Sequence, residues 1–138
     1  KSVIKIISRS RGFFLMIDYG YIKPNNQNTL QSVINHKKND ILDNLGKADI
    51  TSHVNFSLLK EFFEKNHLKV KKTITQKEFL KNMGIIQRAH IIAKKMKFSD
   101  QSNLYFRLKR LLSSKSMGNL FKVILAYNNK DQKIFGFN

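Results

Sequence analysis

The chain has no cysteine, no tryptophan, a single proline and only six glycines in 138 residues. Without cysteine there is no disulfide and no thiolate metal site, and the composition suits a reducing compartment. Carboxylates are scarce too: nine acidic residues stand against 26 basic ones, a formal net charge of +17 at pH 7. No apolar run approaches the roughly 20 residues that a membrane-spanning helix needs, so no span is expected. Serine or cysteine nucleophile chemistry has no support, because Gly-x-Ser-x-Gly is missing along with the thiol. A Walker-type phosphate loop is missing as well.

What is present is enough apolar material, 41% of residues, to build the core of one domain or part of one. The first residue is Lys rather than Met, and Lys1 to Ser10 looks like a helix caught partway. The expectation is a piece of something longer, with any targeting signal out of view. The charge invites a nucleic-acid reading. Two features temper it: Lys far outnumbers Arg alongside abundant Asn and Ile, the imprint of an AT-rich genome, and the lysines are spread along the chain. A basic nucleic-acid-binding module therefore stands as an alternative, and a non-catalytic protein assembly factor as another.

The stretch Gly12 to Gly20 sends five consecutive apolar residues, Phe13 to Ile17, into Asp18, Tyr19 and Gly20. It reads as a strand buried on both faces, the habit of a parallel sheet between helices. A strand that ends in a carboxylate delivers polar chemistry to the carboxyl edge of the sheet, where open α/β folds bind ligands. Before it, Val3, Ile4, Ile6 and Ile7 form a helical stripe. After it, Tyr21 to Asn28, with Pro24, reads as a surface loop, Thr29 to Ile34 as a short strand, and His36 to Asn44 as polar with one helical turn.

Asn55 is placed to cap a helix running to about Glu64, with Leu58, Leu59, Phe62 and Phe63 as its apolar face. The segment His67 to Ile74 is a weak strand, and strand, helix, strand in succession is the crossover unit of a parallel sheet. Thr75-Gln-Lys-Glu78 has capping-box spacing, predicting a short helix that ends near Gly84. Ile85 to Met96 predicts a second helix, and Ser99 or Asp100 caps a third with Leu104, Leu108, Leu111 and Leu112 on one stripe. Leu120 to Tyr127 is the last strand; Ile134 to Phe137 adds an edge strand or nothing.

Seven blocks in fixed order carry a resemblance: Asp18-Tyr19-Gly20; Thr29-Leu30-Gln31 with His36; Gly46-x-Ala48-Asp49-Ile50-Thr51-x-His53-Val54-Asn55-Phe56; Thr75-Gln76 with Phe79-Leu80; Gly84-Ile85 with Arg88; Arg107-Leu108; and Met117-Gly118-x-Leu120-Phe121-Lys122-Val123. From about Gly12 to Val123 the chain resembles the C-terminal half of the MidA family, mitochondrial complex I assembly methyltransferases and their bacterial relatives. The resemblance implies an α/β fold, the C-terminal part of a Rossmann-like class I methyltransferase sheet that uses S-adenosyl-L-methionine (SAM). Its fifth strand would be Gly12 to Ile17, its sixth Leu68 to Ile74, and its antiparallel seventh Leu120 to Ala126. On this reading 1–138 is the C-terminal portion of one methyltransferase domain, with a core over 1–74, a helical insertion over 75–116 and a final strand and tail over 117–138. The glycine-rich SAM loop is expected upstream of Lys1, leaving this fragment alone inactive. Asn55 departs from the family's usual Asp, yet the two are nearly equivalent as N-caps.

Asp18, Tyr19 and the Asp49 to His53 segment are expected on one edge of the sheet. The family is associated with methylation of protein arginine, and carboxylates hold the planar guanidinium fork in fixed geometry. The resemblance thus makes Asp49 and His53 the catalytic candidates, Asp49 orienting the acceptor nitrogen and His53 relaying its proton. Asp18, Tyr19, His36, Thr51 and Arg88 are the substrate-binding candidates. Plainer readings stand beside these: Asp18 capping its loop, Asp49 and Thr51 in local turn bonds, His53 as a satisfied half-buried side chain, Arg88 and Arg107 as solvated cations. A metal set from His36, Asp40, Asp49 and His53 would need a helix, and Ile50, Thr51 and Val54 argue against one, so no metal is expected. The partner implied is a protein substrate, and the compartment a bacterial cytoplasm or the mitochondrial matrix.

Overall fold

The structure, a computed structural model, describes residues 2–10, 12–23, 28–128 and 134–137. The loop expected around Pro24 and most of the tail after Asn128 lie outside the described residues. Helix α1 (Ser2–Arg9) turns Ile4 and Ile7 onto the core and leaves Ile6 in solvent. Strand β1 (Phe13–Tyr21) follows and runs further than the apolar stretch alone suggests.

Burial along β1 alternates, which corrects the expectation of a strand covered on both faces. Phe14 and Met16 pack against the core, the Phe14 ring centroid 5.3 Å from that of Phe63. Phe13, Leu15 and Ile17 point the other way and stay 60%, 40% and 42% exposed. The doubly covered strand is the last one, β8 (Phe121–Tyr127), in which Val123, Ile124, Leu125 and Ala126 are all buried.

The main sheet explains why. Its order is β5 (Val54–Asn55), β1, β8, β6 (Lys69–Val70), with β7 (Ile74–Thr75) also pairing β8. β1 and β8 are antiparallel from Phe13 opposite Tyr127 to Tyr19 opposite Phe121. β6 and β7 are antiparallel to β8, and β5 is parallel to β1 at Gly20 and Tyr21. The last strand is thus antiparallel, as the resemblance implies, and lies between β1 and β6. The strand expected over Leu68 to Ile74 is broken into two short pieces, although the Lys71 amide still donates to the Leu125 carbonyl at 3.0 Å. An edge this short and this rich in lysine is a poor template for further pairing.

Helix α2 (Phe56–Lys65) buries Phe56 and Phe63 against Leu68, Ile124 and Ala126. Its cap is Asn55, whose side-chain oxygen accepts from the Leu58 amide at 3.1 Å. A second sheet orders β3 (Lys37–Asn39), β2 (Gln31–Ile34) and β4 (Asp49–Thr51). A turn expected within His36 to Asn44 is present at Asp40 to Asp43, the Asp43 amide donating to the Asp40 carbonyl at 3.2 Å, but the segment before it forms a hairpin with β2. Asn35 and His36 have φ of 50° and 61°, the positive pair that a tight two-residue hairpin turn demands.

The three expected helices are present as α3 (Gln76–Asn82), α4 (Ile85–Ala93) and α5 (Phe98–Leu112). Thr75 and Glu78 form the capping box, each side chain meeting the other's backbone. Gly84, at φ 78°, ends α3 and admits α4. α5 starts earlier than expected: its cap is Lys97, and Ser99 and Asp100 sit within its first turn, where a carboxylate meets the helix dipole favourably. A short helix α6 (Met117–Leu120) leads into β8, and Ile134 to Phe137 turn without forming a strand.

Candidate functional site

The carboxyl end of β1, strand β5 and the amino end of α2 meet because Gly20 permits it. A Cβ there would lie 2.2 Å from the Val54 carbonyl oxygen and 2.8 Å from the Phe56 ring. Any larger residue would force β5 off β1. Next to this junction Tyr19 stands edge-on to two rings, its centroid 5.7 Å from His53 and 5.7 Å from Phe121. His53 is half-buried, and its amide donates to the Thr29 hydroxyl oxygen at 3.2 Å. The structure therefore brings the end of the oily strand and the histidine segment onto one rim.

Asp18 adjoins this rim from the other face of β1, since side chains alternate along a strand. One carboxylate oxygen accepts from the Tyr19 amide at 2.8 Å; the other makes no hydrogen bond among the described residues. Asp49 is exposed on β4 opposite Val33, and Thr51 is half-buried opposite Gln31. The Asp49 carboxylate makes no hydrogen bond or ion pair among the described residues. His36 is exposed at the β2–β3 turn and Arg88 is exposed on α4. Neither shares a hydrogen bond or ring contact with Tyr19 or His53 among the described residues. There, too, no three histidine, aspartate or glutamate side chains gather as a metal ligand set.

One residue at the rim stood only in a family block of the sequence and was not singled out as a site candidate. Lys122 faces Asp18 across the β1–β8 pairing, yet its ammonium donates to the carbonyls of Gly20 at 3.0 Å, Leu120 at 3.3 Å and Asn119. It ties the end of β1 to the turn that launches β8, and burial pushes its pKa down. A lysine in the apolar run Phe121 to Ala126 was the available signal.

The described residues do not form a cradle for SAM. The six glycines stand apart in the sequence, with no Gly-x-Gly among them, and the space above Gly20 is filled by Val54 and Phe56. No described helix is long and apolar enough to cross a membrane.

Comparison with known proteins follows the same lines. Residues 1–74 match a family described as "Putative S-adenosyl-L-methionine-dependent methyltransferase". The mitochondrial protein arginine methyltransferase NDUFAF7 of Danio rerio is 30% identical over 88% of this chain and 28% of its own length. The chain thus spans little more than a quarter of that relative. Two crystal structures of COG1565 superfamily proteins from Burkholderia thailandensis superpose with TM-scores of 0.77 and 0.76 at 26% identity. Each covers 99% of this chain, with 37% and 35% of the respective structures matched, and the second is bound to S-adenosyl-homocysteine. With a mixed α/β sheet of the same form and more than half its length inside the family match, the chain belongs to this family of SAM-dependent methyltransferases.

Proposed function

We propose that this chain supplies the acceptor side of a SAM-dependent methyltransferase that modifies arginine in a protein substrate. The observation that carries the reading is the Tyr19–His53 contact at the common rim of β1 and α2, in a chain whose fold is shared with a protein bound to S-adenosyl-homocysteine. The cofactor supplies the methyl group, and its transfer makes an N–CH3 bond at the expense of an S–CH3 bond. The work left to this chain is to orient the acceptor, exclude water and accept the proton that the nitrogen sheds.

Phe121 backs Tyr19, whose ring meets that of His53 edge-on, and the Thr29 hydroxyl holds the His53 backbone. His53 relays the proton. Asp49, without a partner among the described residues, orients the guanidinium fork, and Asp18 binds the substrate from the adjoining face of β1. Because guanidinium is a very weak acid, orientation contributes more than deprotonation. Thr51, His36 and Arg88 extend the surface over which a protein substrate is gripped. The family resemblance points to a subunit of respiratory complex I as that substrate, and the relatives' mitochondrial label supports a matrix setting, with a bacterial cytoplasm as the alternative.

The test is methyl transfer from labelled SAM by the intact protein onto arginine-containing and arginine-free substrates. His53→Ala and Asp49→Ala are each expected to lose on the order of a hundredfold in rate. Full activity in both variants would remove the site assignment. Client binding without transfer would favour an assembly factor. Nucleic-acid binding that falls steeply with salt would favour the reading that the charge of +17 invites.

A further inference from the structure

We propose that the outer face of α5 binds the surface of an anionic phospholipid bilayer. Phe98 is the most exposed of the large apolar side chains among the described residues, at 84%, and Tyr105 and Phe106 are 62% and 64% exposed. Steps of seven and four residues place Phe98, Tyr105 and Lys109 on one side of the helix, with Phe106 beside them. The leucine stripe of the same helix, Leu104, Leu108 and Leu111, is half-buried on the inner side. The aromatic side is therefore left over after the core is satisfied.

Cations frame these rings at both ends. Lys94, Lys95 and Lys97 lie in the connection before Phe98, and Lys109 and Arg110 close the last turn. None of the five makes an ion pair among the described residues, where both ion pairs lie on α2. Asp100, the one carboxylate of α5, falls two residues and so more than half a turn from Phe98. It lines a cleft with Met96, Asn103, Leu104 and Arg107 instead. No carboxylate of α5 falls on the aromatic side.

Charge complementarity selects an anionic partner, and the shape selects a bilayer. An interfacial helix buries aromatic and aliphatic groups at the headgroup boundary while long cationic side chains reach back to the phosphates. Two of the three rings are Phe, with no polar group to direct at a specific acceptor. The Tyr105 and Phe106 rings meet edge-on at 68°, unlike the successive platforms on which nucleic-acid bases stack.

Flotation of the intact protein with vesicles tests this, comparing phosphatidylcholine containing phosphatidylglycerol with phosphatidylcholine alone. Binding to the anionic vesicles only is expected. It should weaken at least about tenfold in Lys109→Glu with Arg110→Glu, since each cation near such a surface contributes about 1 kcal/mol. Phe98→Ser with Phe106→Ser should weaken it comparably, with the circular dichroism spectrum of both variants unchanged. Absence of binding, or equal binding by parent and variants, would overturn the proposal. Competition by a single-stranded oligonucleotide that the variants fail to bind would also overturn it and assign the face to nucleic acid.

Discussion

Strands β1 and β8 lie side by side over seven paired residues, both are rich in large apolar side chains, and their surroundings differ sharply. β8 has β1 on one flank and β6 and β7 on the other, and its central residues Val123 to Ala126 are buried. β1 has β5 on its outer flank only at Gly20 and Tyr21, and Phe13, Leu15 and Ile17 remain partly in solvent. An apolar run says that a strand is worth covering. Which strand is covered depends on what the rest of the chain places against it.

The contrast breaks or sharpens through substitution. Ile124→Ala in β8 should cost about 2–5 kcal/mol, the range for emptying a packed core position, read from chemical denaturation of this chain. Lys122→Met keeps the stem and removes the ammonium from the Gly20, Asn119 and Leu120 carbonyls. It should cost about 1–3 kcal/mol, as charged hydrogen bonds do, and loosen the end of β1 in amide hydrogen exchange. Outside both strands, Thr75→Ala should cost about 1 kcal/mol by opening the capping box of α3.

The partner in that box adds a pH signature. Hydrogen bonds from the Thr75 backbone and hydroxyl hold the Glu78 carboxyl below the ordinary glutamate value of 4.5. A depressed folded-state pKa adds stability that is present above the unfolded value and lost as pH falls through the folded one. Glu78→Gln should lose that stability at neutral pH, converge with the parent in acid, and so flatten acid unfolding in that window. Smallest of all, Leu15→Ala on the open face of β1 should stay within about 0.5 kcal/mol in this chain. A loss as large as that of Ile124→Ala would erase the distinction between the two strands.

Local signals were legible where the chemistry is local. Asn55 as a cap, the Thr75–Glu78 box and the Gly84 break all follow from side chains meeting backbone within a few residues. The hairpin at Asn35 and His36 was missed because Asn-His is not among the strong glycine-bearing turn pairs. The early start of α5 was missed because Ser99 and Asp100 are good caps that the helix absorbed into its first turn. At the rim, the rule that a strand's carboxyl end and the amino end of the following helix share one edge already grouped Tyr19 with His53. Phe121 and Lys122 arrive from a hundred residues further along, and only the β1–β8 pairing brings them in.

By itself, then, the sequence determined the kinds of elements, most of their starts and stops, the family resemblance and the excess of positive charge. These rest on interactions between near neighbours or on composition. Tertiary structure alone decided that the final strand, rather than the first, becomes the buried one, that Lys122 reaches back to the end of β1, and that three aromatics of α5 face outward. Each of these depends on which surfaces meet across long stretches of chain, and burial is a property of the meeting rather than of either segment.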